Sequence, residues 1–265
     1  MNSNPKCLIA VPTFRRPKFL PRILACFKRL DYSNKKLVII NDDPETKYTI
    51  APDPDIELIN IDTQLPLSVK RNMFASWDFD VMFPLDDDDL FLPMRLKNHV
   101  EEYQKDDALD LYRNCSSFDI AGGRFGIGTG GAFTNSSFTR TGYFKSLGYT
   151  AFDQSNYDDI YLNNSFTSRC NVKITTDITK RDFIYQWDNG SYHNTFYDDS
   201  FSIVDIDKDT SKSKITGNIH LHYDYDCYDN INNISNIVDK SGTGVEIKFN
   251  ENMTDIILAS NPKRG

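Results

Sequence analysis

The chain has 265 residues, a formal net charge of −8 and a sequence pI near 5.0. That length encloses one large domain, or one domain with a smaller appendage, and 39% hydrophobic with 13% aromatic residues argues against global disorder. The acidic balance repels phosphate polymers on average, which disfavours non-specific binding to nucleic acid or to an anionic membrane.

The chain opens on a polar segment, residues 1–6, and then an apolar run, Cys7-Leu8-Ile9-Ala10-Val11. Such a continuous run is the pattern of a strand buried on both faces. It is too short for a signal-peptide core or a membrane span, and no later stretch reaches spanning length. The expectation is a soluble, cytoplasmic protein without a transmembrane segment. Its five scattered cysteines (Cys7, Cys26, Cys115, Cys170, Cys227) form no C-x-x-C pair and read as reduced thiols. A helix is predicted over residues 18–30, where Phe19, Ile23, Phe27 and Leu30 share one face. Its basic neighbours Arg15, Arg16, Lys18 and Arg22 read mostly as a solvated face. Leu37-Val38-Ile39-Ile40 is a second buried strand, closed by Asn41-Asp42-Asp43-Pro44, and residues 56–61 alternate as a third. Residues 68–77 read as a helix, Val81-Met82-Phe83-Pro84-Leu85 as a fourth strand, and 93–103 as another helix.

Strand and helix thus alternate through the first hundred residues, predicting an α/β layer with a mostly parallel sheet. Ligands of such sheets bind beyond the carboxyl ends of the strands. The polar clusters Pro12-Thr13-Phe14, Asn41-Asp42-Asp43 and Asp86-Asp87-Asp88-Asp89 all fall there. Later come a glycine-rich stretch over 122–131, a helix over 140–147 and a second acidic cluster, Tyr157-Asp158-Asp159-Ile160. Beyond residue 200 the chain is polar, with short β-like runs over 219–223 and 245–249.

Four consecutive aspartates at the end of a buried strand are more than a solvated charge run, because adjacent like charges at a fixed place are costly without a cation. Asp86 and Asp88, two apart, are expected to face the same way and to share one Mg²⁺ or Mn²⁺. Hard ions of this kind take oxygen ligands and complete their shell with substrate phosphates.

The ordered set Val11-Pro12-Thr13-Phe14-Arg15-Arg16, Val38-Ile39-Ile40-Asn41-Asp42-Asp43, Lys70-Arg71-Asn72 and Phe83-Pro84-Leu85-Asp86-Asp87-Asp88-Asp89 with Pro93 resembles family 2 glycosyltransferases of the GT-A fold. The family patterns are V-P-T-[YF]-N-R, V-D-D-G-S, A-R-N and F-L-D-x-D-D-x-x-x-P. Tyr157-Asp158-Asp159-Ile160-Tyr161-Leu162 is similar to the family's E-D-x-D-L motif, with Asp158 in place of Glu and Tyr161 in place of the later Asp. The resemblance implies a GT-A domain over 1–200, with a donor half over about 1–105 and an acceptor half over about 106–200. A polar C-terminal extension, 201–265, is expected to pack on or near the active site. It implies metal-dependent, inverting transfer from a nucleotide-diphosphate sugar, with UDP-sugar favoured, to an acceptor hydroxyl. The acceptor expected is a glycan, a lipid carrier or another hydroxyl-bearing molecule; modified nucleic acid is less favoured because of the net charge. Residue by residue, the resemblance implies that Pro12, Thr13 and Phe14 border the donor base and that Asp42 or Asp43 accepts its N–H. Arg71 then lies near the base or diphosphate, Asp86 and Asp87 help to hold the donor, and Asp88 is the chief metal ligand. Asp159 is the implied general base.

Less specific candidates complete the set. His193 and His222 are weighed as further metal contacts against ordinary surface histidines. Gly130 and Gly131 offer backbone N–H groups on the acceptor side, with Asp158 and Trp187 beside them. Asp89 reads as a cap of the next turn. Two other readings compete: a nucleotidyltransferase, which expects a glycine-rich signature where Pro12-Thr13-Phe14 has none, and a non-catalytic nucleotide-sugar- or carbohydrate-binding module.

Overall fold

The computed structural model describes residues 4–115, 117–121, 124–128, 136–147, 158–177, 180, 182–186, 201–203, 217–221 and 256–259. Its first half alternates as expected. Strand β1 (Cys7–Thr13) leads to helix α1 (Leu20–Arg29), β2 (Lys35–Asn41), β3 (Ile56–Asn60), α2 (Leu67–Met73), β4 (Val81–Pro84), the short β5 (Leu90–Phe91) and α3 (Arg95–Lys105). Then follow β6 (Leu111–Asn114), a hairpin of β7 (Ser117–Ala121) and β8 (Arg124–Gly128), β9 (Ser136–Thr139), α4 (Arg140–Ser146), α5 (Asp158–Arg169), β10 (Val172–Thr175) and β11 (Phe183–Gln186). Three further strands are β12 (Phe201–Ile203), β13 (Gly217–Leu221) and β14 (Ile256–Ala259). The run over 245–249 lies outside the described residues.

The central sheet has the order β10-β6-β9-β4-β1-β2-β3. Strands β4, β1, β2 and β3 are parallel neighbours, and β9 runs antiparallel between β4 and β6. Side chains of a strand alternate between faces, and β1 shows the consequence. Cys7, Ile9 and Val11 join a core with Leu37, Ile39 and Phe83 under α1 and α3, where Ile23, Phe27, Leu96 and Val100 meet them. Leu8 and Ala10 point to the opposite core with Val38, Ile40 and Met82, against Phe74, Tyr143 of α4 and Phe166 of α5. Burial on both faces is why these strands read as unbroken apolar runs.

The chain order reverses between β1 and β4: β2 and β3 extend to one side of β1, while β4 lies on the other. A crevice opens outside the strand ends at such a switch point. Pro84 lacks an N–H and closes β4, after which the Leu85 N–H donates to the Ala10 carbonyl at 3.0 Å. A second sheet has the order β14-β13-β12-β8-β7-β11-β5, in which β5 follows the acidic run and pairs antiparallel with β11. Among the described residues no helix is long and apolar enough to cross a membrane.

Candidate active site

β1 and β4 pair with Cys7 opposite Val81, and this spacing continues past the last paired residue to set Asp87 opposite Thr13. The Thr13 hydroxyl donates to Asp87 Oδ2 at 2.6 Å. The switch point is therefore closed by a side-chain bond between the two sequence motifs that flank it. Asp87 accepts a second bond, at 2.6 Å, from Arg16 Nη1, which also reaches Asp88 Oδ2 at 3.0 Å. Burial works against the Arg16 charge, but Asp87 and Asp88 outweigh it and hold the guanidinium more firmly protonated than usual. Arg16 is thus not on the solvated helix face that the sequence suggests. Arg15 before it has φ 56°, a left-handed conformation that turns the chain inward.

Asp86 is the most open of the four, its side chain 32% exposed against 5% for Asp87 and 10% for Asp88. It faces Arg71 Nη2 at 3.4 Å, and Arg71 is held in turn by Tyr143, whose hydroxyl donates to the Arg71 carbonyl. Asp89 is buried, and its N–H closes a turn onto the Asp86 carbonyl at 3.1 Å. Helix α3 begins later, at Arg95, with Met94 at its N-cap. Asp86 and Asp88 share the acidic turn but pair with different cations from different elements. Among the described residues, no group of three or more His, Cys, Asp or Glu side chains is arranged to hold a metal ion. Asp86 and Asp88 are hard oxygen donors, the kind of ligand that Mg²⁺ or Mn²⁺ takes alongside phosphate and water, and each is paired here with an arginine.

At the end of β2 the two aspartates diverge. Asp42 is fully buried, accepting from Lys70 Nζ at 2.7 Å and from the Leu65 N–H at 2.7 Å. Lys70 also donates to the Thr13 carbonyl at 3.3 Å and lies 5.9 Å from the Phe14 ring centroid. Burial lowers its pKa against the opposing pull of Asp42. Asp43 instead accepts from the Glu45 N–H at 3.0 Å and stands 3.7 Å from Arg15 Nε. Burial pushes its carboxyl up, yet the Glu45 N–H, Thr46 and Arg15 outweigh this and hold it below the usual carboxylate range. Arg15 also covers Phe14, 5.1 Å from its ring centroid. Pro12 is buried at the strand end beside them.

The structure therefore gathers Pro12, Thr13, Phe14, Asp42, Asp43, Arg71, Asp86, Asp87 and Asp88 at the ends of β1, β2 and β4 and on α2. It adds Arg16, Lys70 and Tyr48, whose hydroxyl accepts from the Arg16 N–H at 2.9 Å. The one available signal for Lys70 was its place in Lys70-Arg71-Asn72, where the family has alanine; nothing local marked Tyr48. Asp158 and Asp159 are the first two residues of α5. Gly130, Gly131, Trp187, His193 and His222 lie outside the described residues.

A polar strand-end site of this kind, on a mostly parallel sheet covered on both faces by helices, has counterparts among known proteins. The profile of Glycosyl transferase family 2 matches residues 8–167. The chain belongs to that family, and its fold is that of the GT-A glycosyltransferases. No curated protein sequence matches it. Among solved structures, S. aureus TarS residues 1–349 in complex with UDP-GlcNAc superimposes with a TM-score of 0.54 at 11% identity, covering 73% of this chain and 62% of that one. The mannosyltransferase PcManGT from Pyrobaculum calidifontis, in complex with GDP-Man and Mn²⁺, gives 0.51 at 13% identity, with 72% and 60% covered. The chain spans less than two thirds of the length of either structure, and at these identities the likeness is one of fold.

Proposed function

We propose that this chain transfers a sugar from a nucleotide-diphosphate donor to an acceptor hydroxyl with inversion at the anomeric carbon, using Asp159 as the general base. The observation that carries the reading is the bonded switch point, where Thr13, Asp87 and Arg16 lock the acidic turn beside Asp43 and Arg71. Asp43 accepts the base N–H, since Asp42 is taken up by Lys70 and the Leu65 N–H, with Phe14 and Pro12 alongside. Arg71 and Asp86 orient the ribose and diphosphate. Asp88 and Asp86 would hold Mn²⁺ or Mg²⁺, which when bound stabilises negative charge on the leaving diphosphate.

Asp159 sits in the first turn of α5, where the helix dipole favours a carboxylate. A base here needs only to stay ionised and within hydrogen-bond reach of the acceptor hydroxyl. The UDP preference and the use of a metal find support in structural neighbours solved with UDP-GlcNAc and with GDP-Man and Mn²⁺. The division into a GT-A domain over 1–200 and an extension over 201–265 forms part of the same proposal, as do a glycan or lipid-carrier acceptor and a cytoplasmic location.

The test is donor turnover with Mn²⁺ in three proteins. Asp88→Ala is expected to lose metal-dependent turnover. Asp159→Asn is expected to lower kcat by about 10²–10⁴-fold while leaving donor affinity unchanged. Full metal-dependent turnover in Asp88→Ala overturns the assignment.

A further inference from the structure

Arg16 is bonded to two of the four aspartates of the acidic turn. It lies directly after Arg15, whose left-handed φ of 56° is a conformation that non-glycine residues rarely adopt without compensation. The compensation is visible: the Arg16 N–H donates to the Tyr48 hydroxyl at 2.9 Å, and its guanidinium bridges Asp87 at 2.6 Å and Asp88 at 3.0 Å. Its side chain is 16% exposed, so the pairs are shielded from much of the solvent screening that weakens surface ion pairs. Asp87 is fixed from a second side by Thr13, whereas Asp88 is the outer arm of the bridge.

We propose that Arg16 is a built-in counter-ion for the acidic turn: it pairs with Asp88 Oδ2, and a divalent cation that binds Asp88 must compete with it. The proposal rests on the reading of Asp88 as a metal ligand. Two positive charges cannot share one carboxylate oxygen without loss, so the affinity of the turn for a cation alone is reduced by the stability of the Arg16 bridge. A nucleotide diphosphate changes that balance, because it offers the displaced guanidinium new anionic oxygens of the geometry that arginine recognises. Metal and nucleotide then reinforce each other's binding, and by linkage the effect is the same in both directions. Arg16 is on this account a positioning residue, coupling metal occupancy to the arrival of the donor.

The experiment is titration of free Mn²⁺ by electron paramagnetic resonance, on the full chain, with and without UDP, in wild type, Arg16→Gln, Arg16→Lys and Tyr48→Phe. Without UDP, Arg16→Gln is expected to bind Mn²⁺ about tenfold more tightly than wild type, the equivalent of one charge-assisted hydrogen bond removed. UDP is expected to strengthen Mn²⁺ binding less in Arg16→Gln than in wild type, and Arg16→Lys to restore much of the wild-type behaviour. A merely structural role predicts weaker binding on substitution, never tighter. Tyr48→Phe releases the Arg16 backbone without removing the charge and is expected to shift Mn²⁺ affinity the same way by a smaller factor. Should Arg16→Gln not fold, an unchanged affinity in Tyr48→Phe overturns the proposal. Unchanged or weaker Mn²⁺ binding in folded Arg16→Gln, with wild type binding Mn²⁺ in the presence of UDP, overturns the counter-ion role alone. Absence of Mn²⁺ binding by wild type with UDP overturns the metal assignment beneath it.

Discussion

Asp42 and Asp43 are neighbours in sequence with divergent duties. Asp42 is buried and saturated by Lys70 and the Leu65 N–H, which makes it a strut between β2 and α2. Removing one partner of a buried pair leaves an uncompensated charge, at a cost of about 3–5 kcal/mol. Lys70→Met is therefore expected to lower stability in denaturant unfolding by about 3 kcal/mol, and adding Asp42→Asn to recover part of that loss. Equal instability of single and double variants would contradict the pairing. Asp43 belongs to the donor side in the proposed reading. Asp43→Ala is expected to weaken UDP binding about tenfold or more, the scale of a lost bond to a charged group. A sequence shows that acids stand at a strand end, since strand and turn are local. It does not show which acid is already spent, because Lys70 lies 28 residues from Asp42 and Arg16 lies 71 from Asp87. Arg16 looked like a helix-face residue for that reason.

Among the elements, α3 illustrates a similar hidden commitment. Its amphipathic pattern was legible, yet Arg95 at its start is fully buried, donating to Asp182 Oδ1 at 2.9 Å, with Asn98 on the other oxygen. This network ties α3 to the segment that enters β11, and so one sheet to the other. His99 lies within it, fully buried, 4.7 Å from the Tyr112 ring centroid and 2.7 Å from Ser137 Oγ. Burial first, and the nearby Arg95 charge second, push its pKa down from 6.5 to about 4. The folded state thus resists a proton that the unfolded chain accepts readily. Stability from this group is complete above pH 6.5 and is lost as the pH falls toward about 4. The expected loss is roughly 2–3 kcal/mol. Denaturant unfolding across that range should show a shallower fall in His99→Gln than in wild type; identical slopes would contradict the assignment. Helix α4 makes a different demand. A Cβ on Gly142 would stand 2.6 Å from both the Asp110 carbonyl oxygen and its Cβ. Gly142→Ala is expected to cost about 1–3 kcal/mol in unfolding experiments, without altering UDP binding.

Across the whole molecule, the parallel half of the central sheet was readable because its strands are buried on both faces and its helices carry regular apolar stripes. The insertion of β9 between β4 and β6, and the second sheet, were not readable. Their strands are short, and pairing partners far apart in sequence leave no local trace. The site follows from the readable half, since three strand ends meet at the switch point between β1 and β4. In the proposed account, a chain of net charge −8 whose acidic turn meets a diphosphate requires cations to reconcile them, which Arg16, Arg71 and a divalent ion together provide. The most direct test is thermal unfolding of the full chain against a panel of nucleotide sugars, with and without Mn²⁺. A ligand held only by the folded state raises the transition temperature, by about 2.7 kcal/mol of stabilisation at a hundredfold excess over Kd. The account predicts a rise with at least one UDP-sugar that depends on Mn²⁺ and disappears in Asp88→Ala. No shift with any donor, or a shift that Asp88→Ala leaves intact, would contradict it.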